Sequence, residues 1–166
     1  MKIVLERALQ EIRSSEDHMV NLKGKPVELR VPSRMGYEKV AMGTAASVAK
    51  LMGFPDARIE DLKTAIAEAC INAIEHGNRL NDNLCVGVTL SAHDDSLEVT
   101  VLDDGAGISK VPPKPDIDRK MHGEEDARGM GMFLIQSLVD EAEWVKAGNG
   151  KGSYVRLVIR LDKESD

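Results

Sequence analysis

The sequence predicts an α/β two-layer sandwich, in which helices cover one face of a mixed, mostly antiparallel sheet. Several short segments alternate apolar and polar side chains, as strands with one buried face do. Longer segments repeat their apolar residues at helical spacing. The predicted order is strand, helix, helix, strand, strand, loop, helix, strand, strand, which differs from the regular alternation of a Rossmann fold.

The first predicted elements are a strand and a helix. The strand covers residues 27–31 and is ended by Pro32, because proline cannot donate to a sheet ladder. The helix runs from Tyr37 to Leu51, with Gly53 as its stop signal.

The second helix carries the most informative residues. Asp56 is its expected N-cap, and an apolar stripe runs from Ile59 to Ala73. Gly77 is expected to supply a left-handed exit from this helix. Two alternating segments then follow around residues 86–101, and their short polar link predicts a hairpin.

The last third of the chain begins with a proline-rich, charged stretch at residues 109–128, which predicts a long surface loop. An apolar segment at 130–139 predicts a buried helix. Strands are predicted at about 142–147 and 153–161, with Val155, Leu157 and Ile159 facing inward and Arg156 and Arg160 facing water.

Composition narrows the possible functions. The chain has 166 residues, a net charge of −6 and 3% aromatic residues, which argues against nucleic acid as a partner. No apolar run is long enough to cross a bilayer, and charge appears too early for a secretory signal. We therefore expect a cytoplasmic location. Cys70 and Cys85 lack the spacing of a zinc site and are interpreted as core residues.

Glu68 and Asn72 lie one helical turn apart, on the flank of the apolar stripe. A carboxylate can accept a hydroxyl proton, and an amide oxygen is a hard ligand of the kind Mg²⁺ takes. Taken alone, the pair could equally be two polar residues on a solvated helix face.

Two glycine-containing motifs follow. Asp103 ends a strand just before Gly105 and Gly107, so it could accept a hydrogen bond from an exocyclic amine beside a flat ring; a simple β-turn is the competing interpretation. The residues 128–131 begin the apolar helix, where free N–H groups attract phosphate, although such glycines can also merely ease helix packing. No Walker pattern is present.

Together, residues 68–77, 103–107 and 129–131 resemble the N, G1 and G2 boxes of the gyrase/histidine-kinase/MutL ATPase superfamily, whose domain is the Bergerat ATP-binding fold. The first box, EACINAIEHG, is similar to that of the bacterial anti-sigma-factor serine kinases. The resemblance covers about residues 26–161, which implies one kinase domain. An N-terminal helix and linker (1–25) precede it, and a polar tail (162–166) follows.

The resemblance implies a role for each matching residue. Glu68 would be the general base, Asn72 the Mg²⁺ ligand and Asp103 the reader of the adenine amino group, with residues 109–128 as the ATP lid. The other implied nucleotide-binding residues are Gly105, Gly107, Ile108, Arg128, Gly129, Met130, Gly131 and Ser153. Asn78, directly after the first box, departs from the aromatic residue frequent in relatives.

The function implied is ATP- and Mg²⁺-dependent phosphorylation of a serine on an anti-anti-sigma (STAS-type) protein, together with sequestration of a sigma factor. A homodimer is also implied. One alternative is a nucleotide-gated switch that binds its partner without phosphorylating it. A histidine kinase is disfavoured, because His18 lacks the acidic follower and helical bundle that such kinases use.

Overall fold

The structure, a computed structural model, describes residues 24–106, 130–146 and 151–161. Parts of the sequence predictions fall outside these residues: the N-terminal helix and nearly all of the linker, the lid and the polar tail. Among the described helices, none combines the length and the apolar character that a membrane span requires.

One five-stranded sheet forms the first layer. Its strands are β1 (Val27–Pro32), β2 (Cys85–Ala92), β3 (Ser96–Asp103), β4 (Glu141–Lys146) and β5 (Ser153–Arg160). Their order across the sheet is β1-β2-β3-β5-β4, and every neighbouring pair is antiparallel. The described sheet is therefore antiparallel throughout, where a mixed sheet was expected.

Helices form the second layer. They are α1 (Glu38–Leu51), α2 (Asp56–Asn72), continued by a π-helical turn (Ala73–Gly77), and α3 (Met130–Leu138). The core lies between the helices and the sheet, and its largest fully buried side chains include Leu62, Ile66, Ile74, Leu90, Leu97, Leu157 and Ile159. The predicted two-layer sandwich with helices on one face is confirmed.

The strand predictions hold within one or two residues at each end. The hairpin between β2 and β3 is present, closed by a hydrogen bond from His93 N to Ser96 O of 2.9 Å. On β5 the predicted inward residues Val155, Leu157 and Ile159 are buried, because alternate side chains of a strand point to the same face.

The outward face of β5 carries ion pairs. Arg156 pairs with Glu98 and Glu141, and Arg160 also pairs with Glu141. Hydrogen bonds from Arg160 and then Arg156 lower the pKa of the Glu141 carboxyl below its ordinary value. Between these side chains Val158 is 5% exposed, although it lies on the outward face.

Both predicted ends of α2 are wrong. Pro55, in an extended conformation, is the N-cap, because its carbonyl accepts the first helical hydrogen bonds; Asp56 is the first helical residue. At the other end, Gly77 does not adopt a left-handed conformation, since the chain continues through the π-helical turn. Positive φ angles appear just after this turn, at Arg79 (52°) and Leu80 (56°).

The prediction that the apolar segment 130–139 forms a buried helix is only partly right. Ile135 is fully buried, whereas Met130 is 45% exposed and Leu134 is 37% exposed. The reason is that α3 packs mainly against α2, so one face of the helix is covered. An apolar helix segment alone does not tell how many of its faces will be covered.

Candidate active site

The carboxylate of Asp103 is buried at the end of β3 and is held on two sides. Its Oδ2 accepts hydrogen bonds from Ser153 Oγ (2.7 Å) and Ser153 N (3.1 Å), and its Oδ1 accepts one from Gly105 N (3.2 Å). An ionised carboxylate offers about four acceptor positions. The described residues use three of them, which leaves about one for a further donor.

Three glycines allow the backbone to close around this carboxylate. A Cβ at Gly77 would lie 2.4 Å from Asp103 Cγ, and one at Gly105 would lie 2.1 Å from Gly77 O. Gly152 has a φ of +78°, and its Cβ would lie 2.2 Å from Asp103 O. Hydrogen bonds from Ala106 N to Gly77 O (3.1 Å) and from Gly152 N to Gly105 O (2.8 Å) join the three segments. Any side chain at these glycines would therefore displace the strand end.

Glu68 and Asn72 lie on α2 opposite the first turn of α3. A Cβ at Gly131 would lie 2.6 Å from Glu68 Oε2 and 3.5 Å from Asn72 Nδ2. Asn72 Nδ2 is buried and has no hydrogen-bond partner among the described residues. The acid and the amide on α2 therefore face Gly131 in the first turn of α3.

Asn72 and Asp103 line one cleft between α2 and the sheet. Its lining residues are Ala69, Asn72, Ala73, Val101, Asp103, Trp144, Ser153, Tyr154 and Val155. Asn72 stands at this cleft with Asp103, and Glu68 lies beside Asn72 next to Gly131. One end of the site is thus largely apolar with a buried carboxylate, and the other carries an acid, an amide and a helix start.

Cys70 lies between the two polar residues of α2 but on the core side of the helix. Burial, with a smaller contribution from the Glu38 carboxylate, raises the pKa of the Cys70 thiol to about 12. The thiol is therefore protonated at neutral pH and is not a nucleophile. The prediction that Cys70 is a core residue is confirmed.

Four predicted nucleotide-binding residues lie outside the described residues: Gly107, Ile108, Arg128 and Gly129. The predicted lid (109–128) lies there too. Met130 is described and begins α3, with 45% of its surface exposed. Among the described residues, Asn72, Asp103 and Ser153 line the cleft, Gly105 lies against Asp103, and Glu68 and Gly131 lie beside Asn72.

Three residues of the site were not identified from the sequence. Trp144 and Tyr154 line the cleft from β4 and β5, and Asn78 is buried behind the end of β3. The chain's single tryptophan, on a predicted strand, was a signal that could have been used. Asn78 was noted only as a departure from a pattern. Its hydrogen-bond partners are the backbone groups Cys85 O and Asp104 N, which no sequence motif links to it.

Comparison with known proteins places the chain in a family. A family model described as a histidine kinase-like ATPase domain matches residues 31–159. The serine-protein kinase RsbW of Bacillus subtilis is 31% identical over 147 residues, which cover 83% of this chain and 87% of that protein. RsbW of Bacillus cereus strain Q1 is 34% identical over 145 residues, with 83% and 86% covered.

A solved structure supports the fold independently. The crystal structure of the RsbU and RsbW domains of a Mycobacterium tuberculosis protein superposes with a TM-score of 0.59 at 17% identity. The match covers 82% of this chain and 32% of that longer chain. By its family model and its relatives, the chain belongs to the histidine kinase-like ATPase domain family and, within it, to the RsbW serine-protein kinases.

Proposed function

We propose that this protein transfers the γ-phosphoryl group of ATP to a serine of an anti-anti-sigma protein of the STAS type, and that it separately sequesters a sigma factor. The observation that carries the proposal is that Asn72 and Asp103 line one cleft, while Glu68 and Asn72 both face Gly131. These residues come from three distant segments. Together they would supply a general base, a metal ligand, a phosphate site and a group that recognises adenine.

The adenine would bind at the apolar end of the cleft. Asp103 has one acceptor position left after its bonds to Ser153 and Gly105, and the exocyclic amino group of adenine is a matching donor. Ser153 would act by fixing the direction of the carboxylate. A buried acceptor without its donor is costly, so a base lacking that amino group would bind more weakly.

The triphosphate would extend toward the start of α3. Backbone N–H groups in a first helical turn lack intrahelical partners and attract anions, and Gly131 adds no side chain there. This interpretation also explains why a Cβ at Gly131 would meet the Glu68 carboxylate. A side chain at position 131 would occupy the space that the phosphates and the Glu68 carboxylate would share.

The residues present fit a magnesium ion. Asn72 lies next to Glu68, and the oxygen of its amide is a hard ligand of the kind Mg²⁺ takes. The atom of this side chain that has no hydrogen-bond partner among the described residues is Nδ2, which is a hydrogen-bond donor and would not itself bind the cation. Mg²⁺ is usually held by one or two protein oxygens together with phosphates and waters. When bound, it would neutralise charge on the triphosphate. We propose Asn72 as its protein ligand.

Glu68 would be the general base. Its carboxylate would accept the proton of the substrate serine hydroxyl as the serine oxygen forms its bond to the γ-phosphorus and the bond to the leaving ADP oxygen breaks. Phosphoryl transfer depends mainly on positioning and charge neutralisation. One base beside a helix start and an amide is therefore a sufficient set of groups.

The partners, the homodimer and the cytoplasmic location belong to this proposal as well. They are supported by membership of a family whose relatives are named serine-protein kinases. The alternative, a nucleotide-gated switch without phosphoryl transfer, would use the same cleft. The two functions differ in whether the mass of a bound partner changes.

Glu68→Gln tests the proposal. The partner protein co-purified with the wild type would be incubated with ATP and Mg²⁺, and phosphoserine measured by mass spectrometry. We expect the variant to bind ATP but to transfer phosphate about 10²- to 10⁴-fold more slowly, because general-base catalysis typically contributes that much.

The matched control is Glu60→Gln, an exposed carboxylate on the same helix that pairs with Lys63. It should transfer phosphate at the wild-type rate. Full activity in Glu68→Gln would exclude Glu68 as the base. A wild-type complex with an unmodified partner would favour the switch.

A further inference from the structure

Asn78 directly follows the π-helical turn and is 2% exposed. Its Nδ2 donates a hydrogen bond to Cys85 O (2.9 Å), and its Oδ1 accepts one from Asp104 N (2.9 Å). A carboxamide presents a donor and an acceptor at the same reach. Asn78 uses both, and so ties the first residue of β2 to the residue that follows Asp103.

These bonds act on the strand end that carries the carboxylate. On the other side, Ser153 and Gly105 hold the carboxylate itself, and Gly152 closes against the backbone of Asp103. Asn78 is the side chain that fixes the peptide immediately after Asp103. Without it, a partly buried N–H and a partly buried C=O would each lose a partner, and the strand end would be free to shift.

The direction of the Asp103 carboxylate matters for the choice of nucleotide. Its one free acceptor position can pair with an amino group, but it opposes a carbonyl oxygen at the same place on the base. A buried polar group that rejects the wrong partner gives discrimination only if it cannot move away. Selectivity therefore depends on how firmly the end of β3 is held.

We propose that Asn78 is a positioning residue that sets the selectivity of this site for adenine over 6-oxopurine nucleotides. The inference rests on the proposed ATP site and deepens it. Asn78 touches neither the nucleotide nor the phosphates; it acts through Asp104 on the adjacent Asp103. If Asn78 only stabilised the fold, replacing it would lower the melting temperature and leave the ratio of the two nucleotide affinities unchanged.

Asn78→Ala and Asn78→Asp separate these two roles. The full-length variants would be titrated calorimetrically with ATP and with inosine triphosphate, each with Mg²⁺, and melted in parallel. Asn78→Ala should lower ATP affinity by roughly three- to tenfold, the equivalent of one hydrogen bond, and should narrow the ATP-to-inosine-triphosphate ratio by the same factor.

Asn78→Asp keeps an acceptor for Asp104 N but loses the amide donor to Cys85 O. It should therefore be destabilised and yet keep the wild-type affinity ratio within about twofold, less than one weak hydrogen bond is worth. Asn81→Ala is the matched control, because Asn81 lies in the same loop and its side chain accepts a local hydrogen bond from Asn83 N (3.0 Å). Asn81→Ala should change neither the affinity for ATP nor the affinity for inosine triphosphate.

The proposal is overturned if Asn78→Ala keeps the wild-type affinity ratio, or if the ratio falls equally in Asn78→Asp. Should Asn78→Ala not fold, Asn78→Ser replaces it, since a smaller side chain leaves room for a water that satisfies both backbone groups without fixing them. Absence of ATP binding by the wild type would instead refute the proposed function, so the two failures are distinguishable.

Discussion

Gly131 is the residue at which fold and chemistry make opposite demands. In the first turn of a helix, alanine is favoured over glycine by up to about 1 kcal/mol. A Cβ at Gly131, however, would lie 2.6 Å from Glu68 Oε2, which is the end of a flexible side chain and can swing away. The clash is therefore cheap for folding but moves the proposed base.

Gly131→Ala should leave the free energy of unfolding unchanged or raise it slightly, while lowering the rate of phosphoryl transfer by at least tenfold. Urea unfolding and phosphoserine formation measure the two effects. Gly43→Ala is the control, because Gly43 lies within α1 and a Cβ there meets nothing within 4 Å. It should stabilise by about 1 kcal/mol and keep full activity. Equal rates of phosphoryl transfer in Gly131→Ala and Gly43→Ala would contradict the proposed position of Glu68 beside Gly131.

At the scale of elements, a buried arginine joins three of them. Arg58, 6% exposed near the start of α2, pairs with Asp140 and Asp61, and it donates hydrogen bonds to the carbonyls of Leu138 and Arg160. Asp140 also accepts a hydrogen bond from Arg160 N (2.7 Å). The end of α3 is thereby fixed to α2 and β5, which holds the two helices of the site in register.

Arg58→Met should lower the free energy of unfolding by about 3–5 kcal/mol, because it leaves the Asp140 carboxylate without its ionic partner in a poorly solvated position. The comparison is Arg34→Met, which removes an exposed pair with Asp82 and should cost less than about 1 kcal/mol. Urea denaturation measures both. Similar losses of unfolding free energy in the two variants would show that the Arg58 ion pairs contribute no more to stability than an exposed pair.

The elements show what local pattern can predict. Alternation located β1, β2, β3 and β5, because a strand with one buried face must alternate. Helix ends were less predictable: the exit of α2 depends on a π-helical turn and on a carboxylate at Asp103, which is close in space but distant in sequence. Gly77 was correctly marked as special but for the wrong reason. It is a site of close approach and has no left-handed conformation.

For the whole molecule, the candidate site was predicted where a motif kept its residues together and missed where contacts join distant segments. Glu68 with Asn72 and Asp103 with Gly105 were recognised as short motifs. Asn78 was not, because its bonds to Cys85 O and Asp104 N appear only once β2 and β3 are paired. Likewise, the covered face of α3 depends on its packing against α2, which periodicity alone does not reveal.

The central claim is that these distant segments form one site for magnesium-bound ATP. Isothermal titration calorimetry of the full-length wild type and of Asp103→Asn, with ATP and Mg²⁺, tests it most directly. We predict a saturable signal with one nucleotide per chain. In Asp103→Asn the affinity should fall about tenfold or more, since the amide can turn a donor toward the adenine amino group. No saturable heat in the wild type, or equal affinity in the two proteins, would contradict the account.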